Sequence, residues 1–168
     1  MIENFDHGAL ILESDCYASE NIDVSKVLDG LQNVTTDFDL VRLHGIFENN
    51  EKLNRKISEL PQGMSLVQSL GDPMGAGAYF LNPDAARRPL EASRTFFEPV
   101  DVFLAKTWAH RLRYRSLKPF PFRVADFPST IGSRRRPRQS VWSRLKIESS
   151  RFADDLRRGA YLPVHYFR

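Results

Sequence analysis

Glu13 and Asp15 close the stretch ALILESDCY (residues 9–17), two carboxylates two positions apart behind a run of apolar residues. On an extended segment successive side chains alternate between faces, so this spacing turns both acids to one side and Ser14 to the other. Two hard oxygen ligands converging at a strand end suit a divalent cation such as Mn²⁺ or Mg²⁺. Solvated turn residues following a strand give the same pattern, and these nine residues alone leave both readings open. Cys16 adjoins the pair, but no histidine pattern nearby points to a thiolate nucleophile. A small buried hydrophobe is its expected role.

The elements that must position these groups are short. Residues 8–13 are continuously apolar, as in a central parallel strand covered on both faces. In SENIDVSKVLDGL (19–31), Ile22, Val24, Val27, Leu28 and Leu31 recur at near-helical spacing, which predicts a helix ending near Leu31 or Gln32. DFDLVRLHG (37–45) predicts a second strand with Phe38, Leu40 and Val41 inward and Gly45 at its exit. Asp37 and Asp39 share a face at its start, the end away from the expected site, and receive no role. The polar run ENNEKLNRKISELPQGMS reads as surface loop or hairpin. Gly75 and Gly77 precede a strand AYFL, and Asn82 is placed to cap a helix with Pro83 first and a break or kink at Pro89. A helix is expected over 98–112, with Pro99 near its start and Asp101 in its first turn, where the helix dipole favours a carboxylate. RYRSLKPFPF (113–122) predicts a last strand. Beyond it come a basic linker and an amphipathic helix whose apolar members are Val141, Leu145, Phe152 and Leu156.

The 168 residues fit one domain with a real core, and a composition 42% hydrophobic and 27% charged excludes a disordered chain and a disulfide scaffold. One cysteine predicts a reducing compartment. No stretch approaches the roughly 18–20 apolar residues that span a bilayer, and the start is too acidic for a signal peptide, so a cytoplasmic location is expected. The net charge of +3 conceals an asymmetry: residues 1–104 hold 8 Lys/Arg against 17 Asp/Glu, and residues 105–168 hold 16 against 4. Such polarity pairs an acidic half able to carry a cation or polar ligand with a basic half facing phosphates or an anionic surface.

Five blocks in order, ALILESD, DFDLVRLHG, GAGAYFLNPDAARRPLE, PVDVFL and LKPFPF, resemble the glycosyltransferase family 25 domain over roughly residues 8–122. That family includes lipopolysaccharide galactosyltransferases and the collagen hydroxylysine galactosyltransferases. The resemblance implies an α/β fold of the GT-A type, with a mostly parallel, Rossmann-like sheet, for the domain over residues 1–125; the basic linker and helix over 126–168 lie outside it. It implies transfer of a hexose, galactose first among them, from a UDP-sugar to a cell-surface glycan or glycolipid acceptor such as lipopolysaccharide. In that setting Glu13 and Asp15 hold Mn²⁺ or Mg²⁺ against the donor's diphosphate and so neutralise charge on the departing UDP. Asp101, in the PVDVFL block, becomes the base that deprotonates the acceptor, or a carboxylate that positions it. Gly75 and Gly77 let backbone approach the sugar, or form the turn before the strand. Ser14 stands where the family has an aspartate. The family's N-terminal strand and helix, which hold much of the nucleotide pocket, have no counterpart ahead of residue 8, so an incomplete sheet prone to self-association is expected.

Two further readings stand beside the transferase. One is an inactive, truncated remnant of such an enzyme. The other is a non-catalytic module that binds an anionic membrane or nucleic acid through Arg134–Arg136 and Arg138. Basic runs release counterions from phosphates, but this one lacks interleaved aromatics and matches no nucleic-acid reader motif. Peripheral contact with a membrane surface would gain about 1 kcal/mol per basic residue. A solvated tail accounts for the run equally well.

Overall fold

A computed structural model describes residues 8–46, 54–69, 75–94 and 99–125 and parts of 149–161, and the chain divides into two compact units, Met1–Ala125 and Asp126–Arg168. The first unit is a mixed α/β domain. Its chain order is β1 (Ala9–Leu12), β2 (Cys16–Ala18), α1 (Val24–Gln32), β3 (Leu40–Arg42), β4 (Asn54–Leu60), β5 (Met64–Ser69), β6 (Ala78–Leu81), α2 (Arg87–Ala92), α3 (Val100–Ala105), α4 (Thr107–His110), β7 (Tyr114–Lys118) and β8 (Phe122–Val124).

Six strands form one sheet in the order β1-β6-β3-β7-β5-β4, and β2 pairs with β8 in a small second sheet. β3 and β7 run parallel, and the other pairings of the large sheet are antiparallel. The expectation of a mostly parallel sheet is therefore corrected. β6 runs against both of its neighbours, so β1, β3 and β7 still share one direction. β1 lies at the edge of the described sheet rather than at its centre, and Leu12 is 44% exposed. Four apolar residues in a row are equally compatible with an edge strand packed on both faces, which is why the run misleads about position.

Register divides the sheet into two faces, because paired residues lie on the same side. On one face Val41, Leu43, Ala78, Phe80, Leu66 and Leu117 meet Val27 and Leu31 of α1, forming the main core. Phe38 closes it edge-on against Phe80, with ring centroids 6.0 Å apart. Burying each such Leu or Phe side chain contributes about 2 kcal/mol. On the other face Leu40, Tyr79, Leu81 and Tyr114 pack with Ala85, Phe103, Leu104 and Leu112, so the segment holding α3 and α4 covers β3, β6 and the start of β7. Toward β7-β5-β4 the same face carries Ser116, Lys118, Ser65, Val67 and Lys56.

Local signals explain the helices. Asp23 caps α1, its Oδ1 accepting the Lys26 N–H at 3.3 Å, and α1 ends at Gln32 as expected. The helix expected from Pro83 is a short 3₁₀ turn, Pro83–Ala85, and α2 begins only at Arg87. Pro89 then falls in the first turn of α2, where an N–H has no helical acceptor to lose, so it neither breaks nor kinks the helix. Asn82 does not cap with its side chain: the Nδ2 group donates to the carbonyls of Thr35 and Phe38, at 3.0 and 2.7 Å. The helix expected over 98–112 is two short ones that meet at the non-helical Lys106. The polar middle stretch is the β4–β5 hairpin, turning at Pro61–Gly63, with Gln62 and Gly63 both at positive φ.

In the second unit the described residues between 149 and 161 are helical. Phe152 and Leu156 are 65% and 59% exposed, and Arg157 pairs with Asp154 at 3.5 Å. Val141, Leu145 and the Arg134–Arg138 run lie outside the described residues. Among the described residues no helix is long and apolar enough to cross a membrane.

One buried carboxylate ties these parts together. Asp39 is 3% exposed and accepts the Arg113 N–H at 2.7 Å and the Arg113 guanidinium at 2.8 Å, with Arg88 at 3.1 Å. Burial alone would raise its pKa, but the hydrogen bonds and charge of Arg113, with the charge of Arg88, outweigh burial and hold it below the usual range. Asp39→Ala is expected to lower stability by about 2–3 kcal/mol, less than for a fully buried pair because both arginines are half-exposed and rehydrate. A urea midpoint within 0.2 M of the parent, roughly 0.4 kcal/mol on ordinary slopes, would count against this role.

His110, 3% exposed, donates from Nε2 to the Leu104 carbonyl at 3.1 Å and accepts the Leu112 N–H at Nδ1 at 3.2 Å, which fixes a neutral ring. Burial depresses its pKa. Both groups bind fewer protons folded than unfolded in the relevant windows, so stability rises with pH through each. The His110 contribution is complete above the unfolded value of about 6.5 and is lost as pH falls through the lower folded value. That of Asp39 is complete above about 3.9 and is lost at still lower pH. Urea midpoints between pH 7 and pH 4.5 should fall with acidity, and more shallowly in His110→Gln. Parallel curves for parent and variant would refute the assignment.

Candidate functional site

The carboxyl ends of β1, β3 and β7 open on one edge of the sheet, and the residues that could do chemistry collect there. Glu13 follows β1 and its N–H donates to the Gly77 carbonyl at 2.8 Å. The Glu13 carbonyl in turn accepts the Cys16 N–H at 3.0 Å, closing a four-residue turn with Ser14 and Asp15 at its centre. The acid pair therefore straddles a turn instead of sharing one face of an extended strand. Serine and aspartate favour turns because their short side chains compete for local backbone bonds. β2 starts immediately afterwards, and the Asp15 carbonyl accepts the Ala125 N–H at 2.8 Å.

Glu13 is exposed and Asp15 half-buried, and among the described residues neither carboxylate has an ion pair or side-chain hydrogen bond. Their fields are felt nearby. Burial and then Asp15 and Glu13 raise the pKa of the Cys16 thiol, which keeps it protonated and unreactive near neutrality. Burial and then Glu13 raise that of Tyr79. Burial and then Arg42 lower the pKa of His44, opposed by Asp15. Among the described residues no group of three His, Cys, Asp or Glu side chains could hold a metal. Two carboxylates fit a cation only where phosphate oxygens and water supply the other ligands, the usual arrangement for Mg²⁺ beside a substrate phosphate.

His44 occupies the centre of this edge, two residues past β3. Gly75 and Gly77 make room for its ring: a Cβ on Gly77 would lie 2.9 Å from His44 Nδ1 and 3.2 Å from Val124 Cγ2. Gly75 adopts φ +90°, which favours glycine, and a Cβ there would lie 2.9 Å from Ile46. The two glycines, expected to admit a sugar or to form a turn, are thus spoken for by His44, Ile46 and Val124. His44 Nδ1 is buried without a partner among the described residues, and the Phe120 ring lies 6.5 Å from the imidazole.

Beside His44 a cavity of about 980 Å³ opens over the β7-β5-β4 half of the sheet. Its floor is Lys56, Ser65, Val67 and Lys118, and its wall is Phe120 with Arg123 and Val124 of β8. Neither Glu13 nor Asp15 lines it. The cations were missed in the sequence, although period-two alternation in β5 and β7 would have put Ser65, Val67, Ser116 and Lys118 on the face opposite Leu66 and Leu117.

Asp101 is not brought to this edge. It lies in the first turn of α3, its Oδ1 accepting the Val102 N–H at 2.9 Å, while Phe103 and Leu104 pack in the cluster with Leu40, Ala85 and Leu112. Leu40 begins β3, at the end of the strand away from His44. The structure joins Glu13, Asp15, Gly77 and His44 on one edge and leaves Asp101 apart. No family model matches the chain, and no curated protein or solved structure matches it either.

Proposed function

We propose that the first unit is a glycosyltransferase-like domain of the GT-A type that acts on a UDP-sugar, moving a hexose such as galactose to a cell-surface glycan on the cytoplasmic side of a membrane. The observation that carries this reading is the common edge: β1, β3 and β7 share a direction, and their carboxyl ends present Glu13 and Asp15, then His44, then Lys118. Ligands of open α/β sheets collect beyond such strand ends. The ordered sequence blocks that resemble family 25 supply the substrate class.

In this reading Glu13 and Asp15 hold a divalent cation, Mn²⁺ or Mg²⁺, which when bound offsets negative charge on the UDP leaving group. The exposed Glu13 and half-buried Asp15 leave room on the solvent side for phosphate oxygens. Gly77 anchors the turn through its carbonyl, so the position of Glu13 is set by the main chain of β6's approach. Asp101 has no part in the mechanism, because α3 sits with the cluster around Leu40.

Calorimetric titration of UDP in the presence of Mn²⁺ is expected to give saturable binding. Glu13→Ala combined with Asp15→Ala should weaken it at least tenfold, about 1.4 kcal/mol, without a change in thermal midpoint. Silence in the parent protein would overturn this reading and leave the inactive remnant and the non-catalytic module. Equal affinity in parent and double variant would remove the acid pair from the site.

A further inference from the structure

We infer that His44 is a substrate-binding donor: its neutral ring carries its one proton on Nε2 and donates from there to a hydroxyl oxygen of a hexose in the cavity over β7-β5-β4. That the hexose is galactose rests on the transferase reading. The tautomer and the direction of the bond do not.

The two ring nitrogens of His44 stand in different surroundings. Nδ1 is buried and has no hydrogen-bond partner among the described residues. The side of the ring that carries it faces the two glycines. The Cβ that Gly77 lacks would lie 2.9 Å from Nδ1 and 3.5 Å from Cγ, and that of Gly75 would lie 3.7 Å from Cε1. The opposite edge, Nε2 with Cδ2, is the part of the ring left to line the cavity. His110, the other described histidine, is bonded at both nitrogens, to the Leu104 carbonyl and the Leu112 N–H. The protein alone completes the bonding of that ring, and it does not complete that of His44.

A neutral imidazole has one N–H and one bare nitrogen, and the surroundings choose between them. A proton on Nδ1 would be a buried donor without an acceptor, a rare kind of unsatisfied group in folded proteins. A proton on Nε2 turns the donor to the cavity, where water or a ligand oxygen accepts it, and leaves only a lone pair unpaired. A second proton would restore the buried donor and add a charge, which burial and then Arg42 oppose and Asp15 favours. The same geometry excludes His44 as a general base. A base acting through Nε2 keeps its own proton on Nδ1, held there by a carboxylate or a carbonyl. Among the described residues none accepts at that atom.

The neighbours of the ring suit a neutral polyol. Phe120, with its ring 6.5 Å from the imidazole, and Val67 offer apolar surface to a hexose. Ser65 on the floor supplies a hydroxyl. Ser69 Oγ donates to Asn54 Oδ1 at 2.7 Å, so Asn54 has its amide N–H groups to offer the same space. A few placed polar groups among apolar walls are usual for a small-ligand site, and about 980 Å³ admits a hexose with its nucleotide or with a second sugar. The shared chemistry is a sugar hydroxyl, and its source is either the donor's hexose or the acceptor glycan.

The test is long-range proton–nitrogen NMR of the histidine rings in the full chain at neutral pH, with His44 assigned by the loss of its signals in His44→Gln. An Nε2–H tautomer is expected, matching His110 in the same spectrum. A proton on Nδ1, or an even mixture of the two forms, overturns the proposal. Methyl β-galactoside, UDP-galactose with Mg²⁺ and UDP with Mg²⁺ are then titrated separately. The His44 Nε2 signal should move with at least one galactose compound and stay in place with UDP. Movement with the free glycoside identifies an acceptor-type sugar, and movement with UDP-galactose alone identifies the donor's hexose. Movement with neither, or an equal movement with UDP, overturns the proposal. His44→Gln retains a neutral N–H donor and should bind the active compound within about twofold of the parent, whereas His44→Leu should bind it about fivefold more weakly, the worth of one neutral hydrogen bond. Equal loss in both variants counts against a donor role. Should the leucine variant unfold, the tautomer and the titrations of the parent decide. UDP binding with a His44 signal that ignores both galactose compounds defeats this inference alone. A response to methyl β-galactoside without UDP binding defeats the transferase reading alone.

Discussion

The carboxylate of Asp39 fixes the pairing on which the rest of the sheet is hung. β3 and β7 are separated by some seventy residues of chain, and no hairpin turn sets their alignment. Asp39 does so from both sides of its peptide: its N–H donates to the Arg113 carbonyl at 2.9 Å, and its side chain accepts the Arg113 N–H and guanidinium. Leu40 then faces Tyr114 and Arg42 faces Ser116. A slip of one residue would exchange the two faces of β7, sending Lys118 toward the core and Leu117 into the cavity. Desolvating the carboxylate is costly, and only the hydrogen bonds and charge of Arg113 and the charge of Arg88 make it affordable. Since α2 supplies Arg88, the same carboxylate also ties the helical segment after β6 to the sheet.

From this register follows a division of labour between the faces. One face is sealed by α1, whose Val27 and Leu31 lie against Val41, Leu66, Leu117 and Phe80. On the other, α3 packs through Phe103 and Leu104 on β3, β6 and the start of β7, and the cavity opens over the β7-β5-β4 half. The strands themselves record this. β3 is buried throughout, whereas Arg55, Lys56 and Glu59 of β4 are exposed. A covered strand selects apolar residues on both sides; a strand flooring a wet cavity keeps polar ones on one side.

That contrast decides what was legible in the sequence. Local chemistry was: the spacing of Val24, Val27, Leu28 and Leu31 reports α1, and AYFL reports β6, because period and composition are properties of a few neighbouring residues. Strand direction was not. ALIL reads the same whether its neighbour runs with it or against it, and the sheet is mostly antiparallel because β6 lies between β1 and β3 and β5 runs against both β7 and β4. The acid pair illustrates the same limit at smaller scale. Alternation would align Glu13 with Asp15, but the hydrogen bond from Cys16 back to Glu13 ends the strand one residue earlier and turns the chain. Asp39 was passed over because its value lies in two arginines remote in sequence. Gly75 and Gly77 suggested close approach of something, and that something is the chain's own His44, Ile46 and Val124.

The charges along the open edge are sorted as well as gathered. Carboxylates stand at the β1 end, and Lys118 of β7 and Lys56 of β4 stand toward the other. His44 lies between the two: Asp15 opposes the fall in its pKa, and its ring borders the cavity. Opposite charges left free to meet would cancel in exposed ion pairs of little value. Here the three strands β6, β3 and β7 space them, and the Phe120 ring engages Lys118 while Glu59, outside the cavity, engages Lys56. The order of strands in the sheet, more than any single residue, is what keeps those two ends apart.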